Sequence, residues 1–188
     1  MKIKNCLIRC DFNSKNGLGH LFRMLALAGE LRKTYKWNII FVISNNSADE
    51  KFISSNNFQT LRIKTDSSNS EENCINEIVN LNGTNLIVFD IKTDLNRKFL
   101  NSLQNRKIMV VTIDDSSERR LSSDLCFYPP APQTSELDWD DFNGKIYHGA
   151  DWILLREEFS KIENVLDKKK TLSHPKRILL TMGGSDPS

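Results

Sequence analysis

The chain has 188 residues, enough for one ordinary domain, or for one domain and the start of another. Its 26 Lys+Arg against 24 Asp+Glu leave a net charge of +2. The basic residues are dispersed apart from Lys168-Lys169-Lys170, which argues against a nucleic-acid partner.

An apolar run at Cys6-Leu7-Ile8 reads as a buried strand that gives way at Arg9-Cys10-Asp11 to a loop containing Gly17 and Gly19. From Leu18 onward, Leu21, Phe22, Leu25, Ala28 and Leu31 recur three or four apart, the spacing of one helix face. His20 stands at the loop-to-helix junction. Glycines there let a ligand approach the backbone, the first helical turn favours an anion, and an imidazole suits proton transfer near neutrality.

Trp37 to Ile43 is a β-branched and aromatic run, as in a strand buried on both faces. Asp49 to Phe52 suits a short helix, and Thr60 to Ile63 a short strand. Ser70 caps a helix with Glu71 and Glu72 in its first turn and Ile75, Ile78, Val79 and Leu81 as its apolar stripe. Leu86 to Phe89 is a strand ending in Asp90; Asp94 opens a helix through Phe99, Leu100 and Leu103; Lys107 to Ile113 is a strand ending in Asp114-Asp115. Asp124 to Tyr128 is a last short strand. The proline-rich, acidic stretch Pro129 to Gly144 is a long loop, after which Tyr147 to Phe159 leads into a helix. Lys168 to Pro175 is a charged linker, and Arg177 to Met182 runs as a strand into the glycine loop Gly183-Gly184-Ser185-Asp186.

This alternation predicts an α/β fold, a Rossmann-like parallel sheet with helices on both faces. Ligands of such sheets sit beyond the carboxyl ends of the strands. Asp11, His20, Asp90, Asp114 and Asp115 all fall at that edge. Residues 1–167 are expected to form one domain with a trailing segment, and 168–188 a linker and the beginning of a second. Cys6 and Cys10, about 13 Å apart along a strand, are too distant to bridge. With Cys74 and Cys126 they read as free thiols of a reducing, cytoplasmic compartment. No metal-ligand spacing, membrane span or signal-peptide apolar region is present in the sequence.

Three ordered pieces carry a resemblance across the whole chain: Arg9-x-Asp11 … Gly17-Leu18-Gly19-His20-x-x-Arg23, Leu154-Leu155-Arg156-x-Glu158-Phe159, and Thr181-Met182-Gly183-Gly184-Ser185-Asp186-Pro187. Together they resemble the UDP-sugar hydrolases of pseudaminic acid biosynthesis and the related spore-coat polysaccharide proteins. The resemblance implies the N-terminal domain of a GT-B architecture, in which two Rossmann-like domains face each other across a cleft. It further implies hydrolysis of a UDP-linked 2,4-diacetamido-trideoxy sugar, with the second domain holding the nucleotide.

On that resemblance the catalytic histidine is His20, and Asp11, Gly17, Leu18, Gly19, Arg23, Asp90 and Asp114 line the sugar side. Gly183, Gly184, Ser185 and Asp186 form the nucleotide loop. Asp11 either fixes the histidine tautomer, contacts a sugar hydroxyl or closes the turn. Where such proteins often carry Asp-x-Tyr, this chain has Asp90-Ile91-Lys92. UDP is a good leaving group, so the reaction requires a base but no obligatory general acid, metal or cofactor. A glycosyltransferase of the same architecture, and a truncated non-catalytic module, are the alternatives. The 188 residues alone are expected to be inactive.

Overall fold

Strand β1 (Asn5–Cys10) buries every residue from Cys6 to Cys10, so it must be covered on both faces. The computed structural model, which describes residues 3–13, 17–47, 50–65 and 69–160, shows how. After β1 come α1 (Gly19–Tyr35), β2 (Asn38–Ser44), α2 (Lys51–Ser55), β3 (Gln59–Ile63), α3 (Glu71–Leu81) and β4 (Leu86–Asp90). They are followed by α4 (Arg97–Asn105), β5 (Met109–Ile113), β6 (Leu125–Tyr128), β7 (Lys145–His148) and α5 (Glu157–Ser160). The seven strands form one sheet in the order β3-β2-β1-β4-β5-β6-β7, every pairing parallel. The chain reverses its direction of travel across the sheet between β1 and β4, the crevice where such sheets bind ligands.

Side chains alternate across the strands, and two cores result. Cys6, Ile8, Cys10, Phe41 and Val88 meet Leu21, Met24 and Ala28 of α1 on one face. Leu7, Val42, Ile87 and Val110 meet Ile75 and Val79 of α3 and Leu100 and Leu103 of α4 on the other. The Ser70 hydroxyl caps α3 by accepting from Asn73 N–H at 3.3 Å. The register sets Arg9 beside Val42 and Phe89, and Cys10 beside Asp90, so the carboxyl ends of the central strands share one edge.

Four expectations change. The fourth helix begins at Arg97, capped by Asn96, because the Asn96 side chain accepts from Lys98 N–H; Asp94 lies before it. Leu81 is 85% exposed, and Cys74 joins Ile75 and Val79 on the buried stripe instead. Leu125–Tyr128 is not the last strand: Lys145–His148 pairs beside it, held by the stacking of Tyr147 on Phe127 at 4.9 Å. The proline-rich loop contains a 3-10 turn at Pro132–Glu136. Asp49, the expected start of α2, and the whole 168–188 segment lie outside the described residues.

Candidate active site at the carboxyl edge

Gly17 is the pivot between β1 and α1. Its φ of 72° is in the left-handed region that favours glycine, and its N–H closes a tight loop on the Asn13 carbonyl at 2.8 Å. Gly19 opens α1, and a Cβ there would meet nothing within 4 Å, so the backbone of the first turn is open to an approaching group. Leu18, 37% exposed, gives α1 no side-chain cap, and the first turn carries no acid. Among the described residues this end of the helix lacks the capping oxygen or first-turn carboxylate that usually neutralises it.

One turn places His20 and Arg23 on the same side of α1. Both reach Asp90, at the end of β4, whose side chain is fully buried. His20 Nδ1 lies 2.6 Å from Asp90 Oδ1, while Arg23 donates through Nε to Oδ2 at 2.6 Å and through Nη2 to Oδ1 at 2.5 Å. Arg23 Nη1 also reaches Asp114 Oδ2 at 3.2 Å. Burial alone would lower the Arg23 pKa, but its hydrogen bonds and charge pairing with Asp90 and Asp114 outweigh that and raise it. His20 Nε2 has no partner among the described residues. Asp114 holds a left-handed φ of 54°, which Asp tolerates better than most residues, with its carboxylate 44% exposed beside Arg23.

Asp11 belongs to a different cluster. Its carboxylate takes both terminal nitrogens of the fully buried Arg9 at 2.7 Å, and accepts from Ser44 N–H and the Ser47 hydroxyl. Arg9 also binds Glu71 at the start of α3 at 2.8 Å. So the residue that meets the histidine is Asp90, and Asp11 knits β1 to β2 and α3. Asp115, next to Asp114, likewise turns inward: it holds buried Arg119 at 2.6 Å, and Arg119 donates to the carbonyls of Ile91 and Thr93 just beyond Asp90. Sequence reading did not single out Arg119.

Cys10 ends β1 beside Asp90, but burial pushes its thiol pKa far up, so it stays protonated and is no nucleophile. Burial likewise pushes Cys126 up to about 11. All four cysteines are buried and free. No group of three or more His, Cys, Asp and Glu among the described residues is placed to hold a metal ion. No helix among them is long and apolar enough to cross a membrane.

Two concavities lie away from this edge. One of about 520 Å³ sits between α4 and the beginnings of β6 and β7, lined by Arg97, Gln104, Asp124 and Lys145. The other, about 320 Å³, is apolar, between α1 and the segment at Trp152-Ile153-Leu154. Neither includes His20, Arg23 or Asp90; His20 and Arg23 form a partly exposed shelf over the buried Asp90. The chemistry points to the shelf, which joins a histidine whose Nε2 has no partner among the described residues to the strand-order reversal. Gly183, Gly184, Ser185 and Asp186 lie outside the described residues.

No family model matches the chain. An uncharacterized protein of Methanocaldococcus jannaschii is 27% identical over 180 residues, which are 95% of this chain and 36% of that protein. Among solved structures, Acinetobacter baumannii MurG is similar with a TM-score of 0.55 at 8% identity, over 77% of this chain and 44% of MurG. The likeness establishes the class: a Rossmann-like α/β domain of the kind that forms GT-B architectures. The chain spans about a third of the curated relative and less than half of MurG.

Proposed function

We propose that this chain is the sugar-side half of a GT-B-type enzyme that acts on a nucleotide sugar, with His20 as general base. The observation that carries the reading is His20 at the strand-order reversal, its Nδ1 held by buried Asp90 and its Nε2 without a partner among the described residues. In the reaction, Nε2 takes the proton of a hydroxyl or water. The freed oxygen bonds to the anomeric carbon, and the bond from that carbon to the diphosphate oxygen breaks as UDP leaves with the electron pair. Attack opposite the leaving group inverts the anomeric centre. A second domain supplies most of the donors that hold the diphosphate.

Glycosyl transfer to a hydroxyl acceptor is the first reading, because the fold is similar to that of MurG, a GT-B glycosyltransferase. Hydrolysis of a UDP-linked diacetamido-trideoxy sugar is the second, favoured by the three ordered motifs around His20, Arg156 and Gly183. UDP release measured with and without added acceptors separates the two. In the chain joined to its nucleotide-binding half, His20→Asn should lower turnover by about 10²–10⁴-fold, the usual share of general-base catalysis. UDP affinity should barely change. Near-normal turnover would remove His20 from the chemistry, and a matched loss of UDP binding would make it a ligand contact instead.

A further inference from the structure

Three nitrogens converge on the two oxygens of Asp90, and two of them belong to Arg23. The guanidinium therefore grips the carboxylate as a fork, fixing its plane as well as its charge. His20 Nδ1 is 2.6 Å from Oδ1 and also 3.1 Å from Arg23 Nη2. These two contacts ask opposite things of the ring. A lone pair on Nδ1 would suit the arginine but would face a carboxylate oxygen at a distance where two acceptors repel. Nη2, with two hydrogens, already gives one to Oδ1 at 2.5 Å and does not need the ring as an acceptor. The carboxylate contact wins, so Nδ1 carries the hydrogen and, in the neutral ring, Nε2 the lone pair.

We propose that Arg23 is the positioning residue of this site: by clamping Asp90 it holds His20 as the Nδ1–H tautomer, the form a free imidazole disfavours, and so offers Nε2 alone as the basic atom. Asp114 braces the clamp from the far side through Arg23 Nη1. The consequence for turnover rests on the proposed role of His20, whereas the tautomer itself does not. Without the fork, Asp90 is free to turn and the ring exchanges between its two neutral forms.

The test is nitrogen-15 NMR of the histidine rings in the 188-residue chain, above the pH at which histidine titrates, with His20→Asn used to assign the signals. In the unaltered chain His20 should show a protonated Nδ1 and a bare, pyridine-like Nε2. In Arg23→Lys and Arg23→Gln, where no fork grips both oxygens, the wide separation of the two ring-nitrogen shifts should collapse toward an average. Should either variant fail to fold, as judged by its amide spectrum, the other and the unaltered chain still decide. A protonated Nε2 in the unaltered chain overturns the proposal, as does an unchanged ring pattern in the folded variants. In the complete enzyme Arg23→Lys should lower kcat about 10–100-fold, as loss of a supporting partner does, with little change in KM for the nucleotide sugar. If the ring pattern is as described but His20→Asn turns over normally, the tautomer assignment stands and the general-base reading falls.

Discussion

At the end of neighbouring strands, Asp11 and Asp90 are the same residue type with different work, and strand parity decides which does what. Asp11 stands two residues beyond Arg9 and four beyond Leu7, a parity that faces α3; Asp90 stands two beyond Val88, facing α1 and its histidine. That parity was readable in the sequence. The partnership of His20 with a residue 70 positions away was not, because it needs β4 to lie beside β1. Burial raises the Asp11 pKa, but the Arg9 hydrogen bonds and charge, with help from Ser44 and Ser47, outweigh it and leave the carboxyl below its ordinary value. A carboxyl depressed on folding contributes stability that is present above the unfolded-state value, about 3.9, and lost as pH falls through the folded value. Asp11→Asn should therefore cost about 3 kcal/mol near neutrality, where Arg9 loses its main partner inside the protein. The cost should shrink as pH falls below about 4, where the unfolded chain's carboxyl takes up a proton, and vanish once the folded carboxyl follows at its lower value. Urea midpoints for the two proteins across acid pH would check this; parallel curves at every pH would show that Asp11 contributes no linked proton.

Helices and central strands announce themselves by period, and the elements that escaped detection lack one. The stripe of α1 and the runs of β1, β2, β4 and β5 were legible because each contacts a continuous apolar surface. Strand β7 has four residues with no apolar alternation, and its place depends on pairing with β6 and on Tyr147 packing against Phe127 and Trp152. The stripe of α3 was over-read at its end for the opposite reason. Leu81 fits the period but lies in the last turn, beyond the reach of the sheet. The two leucine-like positions should respond differently to truncation. Ile75→Ala removes a fully buried side chain between α3 and the sheet and should cost about 2–5 kcal/mol, whereas Leu81→Ala should stay within about 0.5 kcal/mol. Thermal or urea unfolding of the pair measures both. Equal losses would place Leu81 in a core that the described residues do not form.

For the molecule as a whole, the balance of charge on the shelf limits what these residues can do unaided. Asp90 and Asp114 face Arg23, and Asp11 and Glu71 face Arg9, so both arginines are already engaged by carboxylates. An incoming diphosphate would find the unfilled first turn of α1 but no cation that is not shared with an acid in these two clusters. In the proposed reading the shelf supplies a base and an approach to the anomeric carbon, and stabilisation of the departing charge comes from a second domain. Each missing donor of that kind costs about 3–4 kcal/mol of transition-state stabilisation, or two to three powers of ten in rate. The 188-residue chain by itself should therefore fold and keep the His20 ring pattern, yet release UDP from UDP-sugars at a rate near background. Joined to a nucleotide-binding half, the same chain should recover turnover on the scale of about 1–10³ s⁻¹. Turnover of that size by the 188 residues alone would refute the division of labour, placing both base and diphosphate site on this one sheet.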